Sequence, residues 1–161
     1  MRLEIESRSP EQTFRLGCAL GRLLTGGEVL GLSGELGAGK TQLVRGLAQG
    51  LDIDPDVIYS PSFTLVAEHD GRLRLNHIDL FRLGERVEQS DEEEIGLTEY
   101  LVPAGVTVIE WYRKLDKPPA AWSLEIDLAV HEGERRTITL EGRGERAARM
   151  LDALARDSTW H

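Results

Sequence analysis

At 161 residues, 40% hydrophobic and 29% charged, the chain has the size and composition of one soluble globular domain able to bury roughly 70% of its unfolded surface. Its net charge of −9 weighs against a protein that grips nucleic acid unaided, because phosphate backbones are held by basic surfaces. No apolar run nears the ~20 residues of a bilayer span, Met1-Arg2-Leu3-Glu4 opens no secretion signal, and the single Cys18 permits no internal disulfide, so a cytoplasmic protein is expected.

Leu3-Glu4-Ile5 alternates and predicts a short strand. Ser9 then reads as an N-cap, with Pro10 in the first turn and Gln12 closing a capping box. Phe14, Cys18, Leu20, Leu23 and Leu24 give this helix an apolar stripe, with Cys18 packed inward, and Gly26-Gly27 ends it.

Val29-Leu30-Gly31-Leu32 is an apolar strand that runs into Gly34-Glu35-Leu36-Gly37-Ala38-Gly39-Lys40-Thr41, and Leu43, Val44, Leu47 and Leu51 follow at helical spacing. This is the G-x-x-x-x-G-K-[ST] phosphate loop in its strand-to-helix context. Glycines let consecutive backbone N–H groups turn around a phosphate, and the new helix adds unpaired N–H groups and its dipole. Lys40 supplies a charge for the β- and γ-phosphates, and Thr41 a hydroxyl for Mg²⁺. A nucleoside triphosphate is the ligand these residues imply.

Tyr59-Ser60-Pro61-Ser62-Phe63-Thr64-Leu65 sets two hydroxyls around a proline. It reads either as a switch segment that meets the γ-phosphate and metal, or as a Ser-Pro turn leading into a strand; spacing alone leaves both open. Phe63 to Glu68 and Arg72 to Ile78 predict two strands joined at Asp70-Gly71. Asp79 at the second strand's end is placed to act near Mg²⁺ or its waters, and His77 shares its face if the strand is regular. A packed or surface role is the expectation for His77.

Glu85 to Glu94 is acidic, and Asp91-Glu92-Glu93-Glu94 opens a predicted helix through Leu101, read as a solvated helix start in preference to a docking surface for a basic partner. Val106-Thr107-Val108-Ile109-Glu110-Trp111 is a β-branched strand ending in a carboxylate, the pattern of a Walker B acid. Pro118-Pro119 interrupts the chain. Leu124 to Leu128 and Arg136 to Leu140 alternate as an antiparallel hairpin with one wet face, and Arg146 to Ala155 forms a last amphipathic helix.

Taken together, the phosphate loop, Ser60 to Leu65, His77-Ile78-Asp79-Leu80-Phe81-Arg82-Leu83, Glu99-Tyr100 and Ile109-Glu110-Trp111 resemble the TsaE (YjeE) family in order and spacing. The likeness extends to Ser9 to Thr13 and Leu16-Gly17 and leaves only the last helix uninformative. It implies an α/β P-loop three-layer sandwich whose parallel central sheet is extended by antiparallel strands. It also implies an ATPase required for threonylcarbamoyladenosine at position 37 of tRNA. Such a protein works on the TsaB–TsaD pair, reaches tRNA only through it, and leaves the carbamoyl transfer to it.

Carried over to this chain, the resemblance gives Gly37, Ala38, Gly39, Lys40, Thr41 and Gln42 to the phosphates and Thr41, Asp79 and Glu110 to Mg²⁺ and its water. Lys40, Asp79 and Glu110 become the catalytic set. Trp111, Thr13 and Arg136 fall near the nucleotide. Departures are Gln42 for a second threonine, Ser62 for a threonine, His69 for a tyrosine, and Tyr112-Arg113 for a Pro-Glu pair.

A Ras-like GTPase is excluded, since the only asparagine, Asn76, is followed by His77 and not by the guanine motif. A small-molecule kinase remains the enzyme alternative, with Arg135, Arg136, Arg143 and Arg146 as an imagined lid. A non-catalytic ATP-binding switch is the third reading, and the paired acids Asp79 and Glu110 count against it.

Overall fold

The computed structural model describes residues 1–61, 65–81, 83, 96–100, 104–115 and 122–161. Strand β2 (Val29–Ser33) is buried at every position, which its unbroken apolar run requires of a central strand. It pairs in parallel with β5 (Gly105–Glu110) on one side and with β6 (Trp122–Val130) on the other. β4 (Arg74–Asp79) extends the parallel set beyond β5, and β3 (Val66–His69) adds an antiparallel edge. On the far side β7 (Arg136–Gly142) and β1 (Arg2–Ser7) continue antiparallel, giving a seven-stranded sheet of order β1-β7-β6-β2-β5-β4-β3.

Strand alternation divides the buried side chains between two faces. On one face Leu30 and Leu32 of β2, Val106 and Val108 of β5, and Leu124, Ile126 and Leu128 of β6 meet the helices α1 (Pro10–Leu23), α2 (Lys40–Gly50) and α3 (Gly144–Arg156) in the larger core. Val29, Ile78, Leu80 and Ile109 point the other way and pack with Tyr112 and Leu115, beneath short 3-10 turns at Leu97–Tyr100 and Tyr112–Lys114. No helix among the described residues is long and apolar enough to cross a membrane.

α1 and α2 touch backbone to backbone. A Cβ added at Gly17, Gly21, Gly46 or Gly50 would lie 2.3, 2.3, 2.0 or 2.5 Å from a carbonyl oxygen of the facing helix. Spacing of four places each pair of glycines on one side of its helix. This seam changes the expected face of α1: Thr13, Leu16, Gly17, Leu20 and Gly21 are buried, whereas Phe14 and Cys18 are only half-buried. The Cys18 sulfur accepts a hydrogen bond from Arg22 at 3.1 Å on the exposed side. At the C-terminal ends of both helices Arg72 donates to Leu24 and Gly21 at 2.9 Å and to Gly50 at 3.3 Å, a cation where the helix dipoles are negative.

Ser9 caps α1 by accepting from Gln12 N–H at 3.1 Å, but the Gln12 side chain reaches Arg8 N–H at 2.9 Å, one residue before the position a capping box uses. The last helix and the outer hairpin form where expected, each a little longer than the periodicity indicates. Of the helix expected over 91–101, residues 96–100 are described; Gly96 has φ +66° and a 3-10 turn follows it. The acidic stretch 85–94, Ser62 and Pro118-Pro119 lie outside the described residues.

Candidate functional site

Between the end of β2 and the start of α2 the backbone turns through three glycines with positive φ: Gly34 at +149°, Gly37 at +81° and Gly39 at +103°. Gly39 is the N-cap and makes no side-chain capping bond, so the first-turn N–H groups of α2 face the loop without a side-chain acceptor at the cap. Lys40 opens the helix and is 7% exposed. Its ammonium donates to the carbonyls of Gly34 and, at 3.2 Å, Glu35, and lies 4.1 Å from the centroid of the Trp111 ring. Burial pulls the Lys40 ammonium below its ordinary value of 10.5, against the opposing pull of Glu110, Asp79 and Glu35. Thr41 follows on the same first turn.

The parallel register of β4 and β5 sets Asp79 beside Glu110, on the face that meets the helices. Both are almost fully buried, at 1% and 2% exposed. Asp79 Oδ2 accepts from the Ser60 hydroxyl at 2.6 Å and Oδ1 from Phe81 N–H at 2.9 Å. Glu110 Oε2 lies 2.5 Å from Nε2 of His77, which is fully buried; His77 Nδ1 has no partner among the described residues. Of the two roles expected for His77, packed or surface, the structure shows the packed one, and the ring is also bonded to the neighbouring acid. Trp111, in the left-handed region at φ +62°, follows the last residue of β5, and its backbone N–H donates to the Leu32 carbonyl at 2.9 Å. Its ring lies 5.3 Å from that of Phe81, and Lys114 donates to the Phe81 and Leu83 carbonyls at 2.9 Å.

On the opposite flank of the loop a cavity of about 90 Å³ brings Thr13, Gly37, Ala38, Gly39, Gln42 and Arg136 together, with Pro10 and Glu134 completing its wall. Arg136 donates to the loop carbonyls of Ala38 and Gly37 at 3.2 and 3.3 Å, so β7 is tied to the loop. The Thr13 hydroxyl shares a 2.7 Å hydrogen bond with Ser7, and its methyl is the part nearest Gly39. Of the other arginines in the imagined lid, Arg146 is committed elsewhere: it bonds Thr25, Gly26 and Glu28 before β2, at the end of that strand away from the loop.

Most of the residues singled out from the sequence thus fall into two groups, one on either flank of the loop. Lys40, Asp79 and Glu110 are buried and charged, with the half-buried Trp111 ring against Lys40, while Thr13, Gly37, Ala38, Gly39, Gln42 and Arg136 line the cavity; Thr41, half-buried on the first turn of α2, belongs to neither group. Two contributors were missed. The bond from His77 to Glu110 crosses strands diagonally, and a two-residue offset from Asp79 was the only local signal for it. Glu134 sits in a hairpin with no local motif.

A family model described as "Threonylcarbamoyl adenosine biosynthesis protein TsaE" matches residues 7–138. A protein of Treponema pallidum named "tRNA threonylcarbamoyladenosine biosynthesis protein TsaE" is 42% identical over 134 residues, covering 83% of this chain and 96% of the relative. A Bacillus subtilis protein of the same name is 33% identical over 149 residues, 92% of this chain and 90% of its own. The crystal structure of Bacillus subtilis YdiB superposes with a TM-score of 0.74 at 29% identity, covering 97% of this chain and 95% of that one.

Proposed function

The chain belongs to the TsaE family, and from that premise we propose that it is a Mg²⁺-dependent ATPase serving the threonylcarbamoyladenosine modification of tRNA. The observation that carries the reading is the pair of buried carboxylates, Asp79 and Glu110, set side by side within electrostatic reach of the phosphate-loop lysine. Two buried acids are costly to a fold that only needs a core, and they suit a site that handles a cation and a proton.

Among the described residues no three His, Cys, Asp or Glu side chains converge as a metal cage. An oxygen donor set of Thr41, Asp79 and Glu110 fits Mg²⁺, which takes one or two carboxylates and completes its shell with phosphate and water. When bound, the ion neutralises charge on the phosphate oxygens. The loop N–H groups and the start of α2 hold the phosphates, and Lys40 exchanges its carbonyl partners for β- and γ-phosphate oxygens. Water attacks the γ-phosphorus as the bond to the β–γ bridging oxygen breaks and ADP leaves, and one of the carboxylates Asp79 and Glu110 takes up its proton. The Trp111 ring lies over Lys40, and Thr13, Gln42 and Arg136, which line the cavity on the other flank of the loop, face the nucleoside end.

The acidic chain acts on tRNA through the TsaB–TsaD pair in the cytoplasm, consistent with its net charge of −9. The test is phosphate release from ATP by the purified protein, alone and with the TsaB–TsaD pair. Release is expected to rise when the pair is added. Glu110→Ala is expected to keep ATP binding and lower hydrolysis about 100-fold or more. Wild-type turnover in that variant sinks the role of Glu110, and tight ATP binding with no release under either condition sinks the ATPase.

A further inference from the structure

His77 stands where the core would take an aliphatic side chain. On its face of the sheet its neighbours are Leu75, Val106 and Val108, all fully buried, and it is itself 0% exposed. A histidine there leaves Nδ1 without a partner among the described residues, a loss that a leucine would avoid. What the imidazole adds is its other nitrogen. Nε2 lies 2.5 Å from Glu110 Oε2, across the diagonal of the β4–β5 ladder, inside the protein. An ionised carboxylate can only accept, so the proton of this bond sits on Nε2 while Glu110 is charged. Such a bond is short, directional and charge-assisted, and it fixes the rotation of the carboxylate. Asp79 is held in the same manner, with Oδ2 on the Ser60 hydroxyl.

We infer that His77 is a positioning residue: its Nε2–H holds Oε2 of Glu110 and leaves Oε1 as the oxygen presented to the metal and water. The inference rests on the ATPase reading, in which Glu110 works on Mg²⁺ and its water, and His77 acts through Glu110 without touching substrate. Partners that orient a metal-linked side chain are worth about 10–100-fold in metal affinity or activity when removed.

The experiment compares wild type with His77→Leu, which removes the donor at similar volume, and His77→Gln, whose amide nitrogen reaches to about the place of Nε2. A fluorescent ADP analogue is titrated first without Mg²⁺ and then with increasing Mg²⁺, and steady-state phosphate release is measured in parallel. His77→Leu is expected to bind the analogue normally without metal, to need about 10-fold more Mg²⁺ for half-saturation, and to lose kcat by about 10–100-fold. His77→Gln is expected to recover most of both. An unchanged Mg²⁺ requirement in His77→Leu overturns the proposal, and so does a His77→Gln protein as impaired as His77→Leu. If the leucine variant does not fold, His77→Asn replaces it, because its shorter amide matches Nδ1 and not Nε2. The Mg²⁺ titration needs no hydrolysis, so absence of phosphate release by wild type overturns the ATPase reading while leaving His77 to be judged by metal dependence.

Discussion

Helix α2 is held in two different ways at its two ends. Toward its C-terminus Gly46 and Gly50 lie against α1 with no room for a single added carbon. At its N-terminus Gly37 has nothing within 4 Å of an added Cβ, yet its φ is +81°. The same residue type answers opposite demands. At the seam glycine is required by space, with an ordinary helical backbone; in the loop it is required by backbone angle, with space to spare. The seam fixes where the helix points, and the loop is left to shape itself around hydrogen bonds from Lys40 and Arg136.

The sharpest way to break this contrast is Gly46→Ala. The new methyl meets the Phe14 carbonyl at 2.0 Å, so the helices must part, at a cost of about 3 kcal/mol or more. The melting temperature is expected to fall by roughly 10 °C. A drop of only a degree or two means the seam is slack. Gly37→Ala is the matched control and meets only the left-handed penalty, about 1 kcal/mol and roughly 3 °C. Its larger effect is expected on nucleotide affinity, read by calorimetry, because in the proposed function the loop holds that conformation around phosphate. Equal losses of stability in the two variants would erase the difference between the two ends.

The smallest effect is electrostatic and confined to the loop end. Burial lowers the Lys40 ammonium below 10.5, so its charge is lost at a lower pH than that of an ordinary lysine. Nucleotide affinity is expected to weaken as pH rises through that lowered value and to be flat below it. Stability moves the other way: the unfolded chain holds the proton more tightly, so the cost of the buried ammonium is lifted as pH climbs toward 10.5. Comparison with Lys40→Met over the same alkaline range isolates both trends, and parallel curves for the two proteins refute the assignment.

Much of this was legible in the sequence because it is local. The phosphate-loop motif, the strand before it and the carboxylates at two strand ends are short patterns carried by neighbouring residues. The seam was not legible: Gly17, Gly21, Gly46 and Gly50 lie on two helices, and only their packing shows that one side of each must be bare. Reading Phe14 and Cys18 as the inward stripe of α1 followed from hydrophobicity alone, and the seam turned the helix toward its glycines. The bond from His77 to Glu110 was hidden for a related reason. It depends on strand register between segments 33 residues apart, which no local pattern encodes.

That dependence gives Arg72 a significance beyond its helix-capping bonds. Its guanidinium grips three carbonyls of the helix layer, and its own N–H donates to Leu51 at 2.7 Å, just before β4 begins. Were β4 to slip by one residue, about 3.3 Å, His77 and Asp79 would swing to the opposite face, away from Glu110 and Lys40. Arg72 therefore ties the start of β4 to the ends of α1 and α2 and opposes such a slip alongside the pairing with β3 and β5. A side chain far from the loop thus helps to index which amino acids of β4 the site receives.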